Sequence, residues 1–194
     1  MSSRVVRGAL ATDRDAPAAL PAARCLAEGL AVLRIFVGTI LFANGIAKLA
    51  GITTITIGPY QANLIDRETT RFILRYEGLE NPANGGPGTE VPGLEPVVRF
   101  LLDNFDVFQW LITAAELGLG ALLVLGLASR GAALLALGQH AFLALLYASS
   151  NRWLFEQPHE YVPLLILILV PTGRVWGLDG QLKWRWAADG RFPF

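Results

Sequence analysis

The stretch AELGLGALLVLGLASRGAALLALGQHAFLAL (Ala115–Leu145) is apolar on both sides of a short Ser129–Arg130 turn. Outside that turn, only Glu116, Gln139 and His140 carry polar side chains in it. Apolar residues recur with no polar stripe at helical spacing, which is how a helix surrounded by lipid and by other helices reads. A span needs roughly 20 mostly apolar residues to cross about 30 Å of hydrocarbon. The run is long enough for two spans, and the Ser-Arg-Gly link is so short that they form an antiparallel hairpin: Val107–Leu127 and Gly131–Ser149.

Two more segments qualify: Gly29–Ala50 before the hairpin, and Tyr161 to about Leu178 after it. No run shows the alternation of a membrane β-barrel strand. Composition agrees: 53% of the 194 residues are hydrophobic and 16% charged, where soluble domains carry about 25% charged residues. The fold class predicted is all-α, a four-helix transmembrane bundle with an extracytoplasmic insert. Residues 1–28 form a cytoplasmic N-terminal segment, 29–180 the membrane domain with the insert at 51–106, and 181–194 a cytoplasmic tail.

Within the insert, Gln61–Tyr76 and Pro96–Asp103 read as short helices lying flat at the surface, each with an apolar face opposite charges. The Pro/Gly-rich NPANGGPG between them reads as irregular. Orientation follows from basic residues near span ends. Nine lie on one side (Arg4, Arg7, Arg14, Arg24, Arg130, Arg174, Lys183, Arg185, Arg191) and six on the other (Lys48, Arg67, Arg71, Arg75, Arg99, Arg152). Both termini are therefore expected in the cytoplasm.

Net charge is zero and Cys25 is the only cysteine. No basic field favours nucleic acid, and cysteine-based metal or iron–sulfur sites within the chain are excluded. Two histidines at different depths make no metal clamp, so no metal site is expected.

Ionisable groups at membrane depth are costly and usually face a bundle interior. Glu116 lies roughly ten residues from one end of its span and His140 roughly nine from the opposite end of its own, at about 1.5 Å per residue. In an antiparallel hairpin both fall near the midplane, so Glu116 is expected to meet Gln139 or His140. Such a contact fixes packing by an interhelical hydrogen bond or handles protons, with Glu116 and His140 as the exchanging pair. On the first span Arg34, Gly38, Leu41, Gly45 and Lys48 share one face, and the two glycines admit a close neighbour. Arg34 and Lys48 either snorkel to headgroups or, with Gln139 and Arg174, hold a ligand.

Three stretches together resemble the DoxX family. LRIFVGTILFANGIAKL (Leu33–Leu49) is similar to its Arg-led opening span that ends in Gly-x-x-Lys-Leu. AELGLGALLVLGLASRGAALLAL resembles its hairpin with a membrane Glu before an Arg-bearing turn. WLFEQPHEYVPLLILILVPTGRVWGLDG (Trp153–Gly180) resembles its closing span. The resemblance implies a multi-pass protein of the bacterial inner membrane, kin to the DoxD-type subunit of thiosulfate:quinone oxidoreductase. It carries Arg34, Lys48, Glu116 and Arg174 over as functional positions and implies quinone as the cofactor. The chain departs from the family in its long insert and in lacking a cysteine pair for thiol exchange.

Three functions compete on this reading. One is a quinone-associated redox or accessory subunit of a membrane oxidoreductase complex, with catalytic Glu116 and His140. Another is a non-catalytic assembly subunit. The third is a small proton-coupled transporter, against which the lack of inverted repeats and broken helices argues. The expected partners are the lipid bilayer and either other membrane subunits or further copies of the chain.

Overall fold

The structure, a computed structural model, describes residues 16–80, 89–148, 158–182 and 192–193. It is mostly helical. Helix α1 (Ala16–Ala50) is followed by a hairpin, β1 (Thr54–Ile57) and β2 (Tyr60–Asn63), then α2 (Arg67–Arg75) and a π-helical turn at Tyr76–Glu80. Helices α3 (Leu94–Asp103), α4 (Phe105–Leu125), α5 (Ser129–Tyr147) and α6 (Pro158–Leu169) complete the chain with two 3-10 turns, Thr172–Arg174 and Leu178–Gly180. Three helices are long and apolar enough to cross a membrane: Ala23–Ala50, Phe105–Leu125 and Ser129–Tyr147.

Their outward faces are apolar. Phe36 is 62% exposed, Leu111 66% and Leu135 65%. Contiguous bare surface of this kind marks a membrane or protein contact. Inside, Leu41, Leu123, Ala132, Ala133, Ala136, Leu164 and Leu167 form one core among α1, α4, α5 and α6. A second core, Leu74, Leu94, Val98, Phe105 and Leu146, packs the insert onto the ends of α4 and α5.

The expected face of α1 is the buried one: Arg34, Gly38, Leu41, Gly45 and Lys48 are all buried. It meets α4 without side chains between the backbones. A Cβ on Gly45 would stand 2.8 Å from Leu117 N, one on Gly38 2.8 Å from Val124 N, and one on Gly120 2.5 Å from Phe42 N. Gly45 is thus level with Leu117. Helix α1 ends five residues later, at Ala50, level with about Ile112, so the first seven residues of α4, Phe105–Leu111, run on past the end of α1 by about 10 Å. The insert packs against that overhang.

Helix α1 begins at Ala16, so residues 16–28 are helical and continuous with the first span. Two expectations change. The last predicted span, Tyr161 to about Leu178, stops being helical at Leu169. Pro171 disfavours helical backbone at Val170, and α6 at 12 residues is about 18 Å long.

The helix expected over Gln61–Tyr76 starts only at Arg67, because Tyr60–Asn63 pairs with Thr54–Ile57 in an antiparallel ladder. The turn is Gly58-Pro59. Gly58 has φ +59°, and proline fixes the next φ near −65°. That pair of signs is a type II′ turn, which matches the twist of a hairpin. Helix α2 then begins at a true cap: Asp66 Oδ1 accepts from Thr69 N at 2.8 Å. The helix expected at Pro96–Asp103 begins at Leu94. NPANGGPG (residues 81–88), residues 1–15 and most of the tail lie outside the described residues.

Candidate functional site

Helix α1 carries one buried basic side chain near each end of its packed face, and each anchors a polar cluster. At the Lys48 end, Nζ lies 2.8 Å from Glu116 Oε2. It also donates to the Ile65 carbonyl at 2.8 Å. Gln139 Nε2 donates to the other Glu116 oxygen at 2.9 Å. One turn before Lys48, Asn44 Oδ1 accepts from Ile65 N at 3.2 Å. Four elements thus meet here: α1, the chain leading into α2, α4 and α5. The Lys48 and Glu116 side chains are 2% and 7% exposed, so the pair is withdrawn from solvent, where its attraction is strong.

A cavity of about 390 Å³ ends on this cluster. Ile73, Leu74, Leu101, Phe108, Ile112 and Phe142 line it with Lys48, Glu116 and Gln139. Val97 and Leu111, both well exposed, belong to its open side. An apolar cavity with a few convergent polar groups is the usual form of a small-molecule site. Polar capacity remains for a ligand. An ammonium has three N–H groups, of which Lys48 donates one, to Ile65 O; Glu116 Oε2 lies beside it as an ion pair and accepts no hydrogen bond. Gln139 commits one of its two amide N–H groups and leaves its carbonyl oxygen free.

Asp66 stands behind Lys48 at the start of α2. Burial raises the proton affinity of its carboxyl. The hydrogen bonds from Thr69 and the nearby Lys48 charge outweigh that and hold it below the usual carboxylate range.

The Arg34 end is built differently. Its guanidinium donates to the carbonyls of Thr172 (3.0 Å) and Trp176 (3.2 Å). Asp179 accepts from Ala128 N (2.7 Å), Ser129 N (3.2 Å) and Ser129 Oγ (3.2 Å), and so caps α5. Asp179 N in turn donates to Gly126 O at 2.9 Å. Gly126 ends α4 with φ +63°, and Leu127 N reaches back to Leu122 O at 2.9 Å, a Schellman closure. A Cβ on Gly126 would collide with the Arg34 guanidinium. The packing leaves no space beside the guanidinium, although Arg34 Nε and Thr172 Oγ1 stay buried without a hydrogen-bond partner.

Of the residues singled out from sequence, Lys48, Glu116 and Gln139 come together. His140 does not join them: its Nδ1 lies 2.9 Å from Ala136 O of its own helix, and it is not part of the cavity lining. Arg34 is at the far end of α1, and Arg174 is exposed on the turn after α6. Asn44 is among the polar residues that the sequence places at membrane depth, whereas Ile65 and Asp66 were not anticipated. Asn44 shares the face of Lys48 one turn earlier, which was the available signal. No protein-family model, curated protein or solved structure matches this chain.

Proposed function

We propose that the chain is a DoxX-like protein of the bacterial inner membrane, a quinone-associated subunit of a membrane oxidoreductase complex. The observation that carries this reading is the apolar cavity ending on Lys48, Glu116 and Gln139. A quinone head is a flat ring with carbonyl oxygens that accept hydrogen bonds, joined to an apolar tail. The free N–H groups of Lys48 and Gln139 suit the carbonyls. The apolar walls suit the ring, and the side by Val97 and Leu111 suits a tail entering from lipid. Reduction of the head needs two electrons and two protons. The electrons come from a partner subunit, since the chain has no cysteine pair of its own. Lys48 and Glu116 are the groups placed to pass protons. His140 lies outside the lining of this cavity, so the reading rests on Lys48 and Glu116.

In this reading α6 and the buried turns behind it complete a four-helix bundle. The Arg34 end and both termini face the cytoplasm, by the excess of basic residues on that side, and the insert faces outward.

The test is binding of ubiquinone-1 to the purified full chain in lipid nanodiscs, followed by titration calorimetry. Saturable binding is expected, with at least tenfold loss in Ala115→Phe. That substitution places a ring in the cavity and leaves the ion pair untouched. No saturable binding by the unaltered chain, or equal binding by Ala115→Phe, would overturn the reading.

A further inference from the structure

A second cavity, about 590 Å³ and polar, opens where α1 ends and α4 begins. Arg67, Arg71, Glu68, Asp106 and Gln109 line it, and Asp66 forms part of its wall. Asp66 is already committed as the cap of α2. The remaining charges are two guanidinium groups and two carboxylates. Among the described residues, none of the four is ion-paired, although they share one pocket.

Local structure explains why they stay apart. The Arg67 guanidinium lies 4.6 Å over the Trp110 ring, and that of Arg71 lies 5.5 Å over Phe105. Stacking engages the flat face of a guanidinium and leaves its N–H donors, which lie in the plane, available. Glu68 and Asp106 sit in the first turns of α2 and α4, where helix N-termini favour negative charge. Each charge is held by its own neighbours, so both signs remain open to a ligand. An ion of either sign alone would be repelled by half of the pocket. A zwitterion satisfies both halves.

The position in the fold says more. Phe105 is the first residue of α4, and α1 has just ended at Ala50. Along α4, Val107, Trp110 and Leu111 are strongly exposed, so apolar surface continues along the helix beside the polar pocket. Headgroup-sized polar space above bare apolar helix suits an amphiphile at the membrane surface. Its cation is a primary ammonium rather than a quaternary one. A quaternary ammonium is recognised on aromatic faces, and here arginines already cover Trp110 and Phe105. A primary ammonium instead donates hydrogen bonds to carboxylates.

We infer that this pocket binds the headgroup of phosphatidylethanolamine, with the phosphate on Arg67 and Arg71 and the ammonium between Glu68 and Asp106. The test is native mass spectrometry of the full chain. The protein is released from bilayers holding phosphatidylethanolamine, phosphatidylcholine and phosphatidylglycerol in equal amounts with identical acyl chains. Phosphatidylethanolamine is expected to be retained at least fivefold over either other lipid. Arg71→Gln and Asp106→Asn should each cut that preference at least threefold, and Arg75→Gln, outside this pocket, should not. Equal retention of phosphatidylglycerol removes the role of the carboxylates and overturns the proposal. Undiminished preference in Arg71→Gln and Asp106→Asn overturns it as well. Displacement by soluble glycerophosphoethanolamine at micromolar concentration would make a free zwitterion the ligand and overturn the lipid assignment. The lipid comparison and the displacement use the unaltered chain, so they decide even where a variant fails to fold.

Discussion

Lys48 and Arg34 lie on the same face of α1, about four helical turns apart, and both are buried. Their surroundings differ in what they leave open. Arg34 donates to two main-chain carbonyls, and glycines at 126 and 177 leave no room beside it. Lys48 meets a carboxylate from another helix at the floor of a cavity. A buried cation is therefore no guide to function by itself. The segment that covers it decides. The turns after α6 close over Arg34, whereas the insert bridges the overhang of α4 and leaves a space above Lys48.

The largest effect should come from breaking the ion pair on one side only. Glu116→Leu leaves the Lys48 ammonium buried without a counter-charge, which costs about 3–5 kcal/mol. Replacing both partners by apolar groups of similar size is often close to neutral. Lys48→Met with Glu116→Leu should therefore recover most of the thermal stability in detergent, yet still fail to bind ubiquinone-1. Full recovery of both stability and binding would make the pair a packing device. The Arg34 end should allow no such rescue. The partners of Arg34 are backbone carbonyls, so Arg34→Met leaves them unsatisfied whatever else is changed.

At that same end, Asp179→Ala removes three hydrogen bonds to the α4–α5 turn. Bonds to charged groups contribute about 1.5–3 kcal/mol each and overlap at one carboxylate, so a loss of about 3 kcal/mol is expected. Amide hydrogen exchange should quicken at Ala128 and Ser129 while the Ile65 amide, at the Lys48 end, stays protected. Equal quickening at both ends would mean the two clusters are not independent.

The sequence made part of this contrast visible. Long apolar runs around Ser129–Arg130 are enough to read the hairpin. Antiparallel depth is enough to pair Glu116 with Gln139 or His140, although the choice between two adjacent residues needs the helix rotation. Glu116 is the twelfth of the 21 residues of α4, the middle of its own span. It lies level with the last turns of α1, because α4 overhangs α1, and stagger between helices leaves no trace in either helix alone. Lys48 was expected at the membrane surface for the same reason. Arg34 was read as a ligand or headgroup contact because its partners, Thr172 and Trp176, lie more than a hundred positions later in the chain. The Gly58-Pro59 turn was a legible hairpin signal; the charges that follow it drew the reading toward an amphipathic helix. The early end of α6 is written in Pro171 and Gly173, which a count of apolar residues passes over.

Gly120 sits between the two clusters and sets the distance from α1 to α4. A Cβ there would stand 2.5 Å from Phe42 N and 2.8 Å from Phe42 Cα. Backbone cannot turn aside, so Gly120→Ala forces the helices apart at about 1–3 kcal/mol. Gly118, two residues earlier, has nothing within 4 Å of its Cβ position. Gly118→Ala should be neutral or stabilise by up to about 1 kcal/mol through helix propensity. Thermal unfolding of the two variants side by side gives the comparison. Similar behaviour would mean that α1 and α4 do not pack at Gly120.

The smallest effect concerns the second capping aspartate. Asp179 caps α5 inside a closed cluster, whereas Asp66 caps the short helix α2 beside the cavity. Asp66→Ala should cost about 1 kcal/mol at neutral pH, as N-cap removal usually does. The carboxyl of Asp66 is held below its ordinary value because the Thr69 hydrogen bonds and the Lys48 charge outweigh burial. A depressed folded value means that the ionised cap stabilises the protein above the unfolded value, about 3.9, and that this part is lost as pH falls through the folded value. The stability gap between the unaltered protein and Asp66→Ala should therefore hold from pH 7 to about pH 5 and narrow below about pH 4. Denaturant unfolding across that range measures it. A gap that widened on acidification would mean that Asp66 is protonated in the folded protein, and the charge behind Lys48 would then have to be assigned elsewhere.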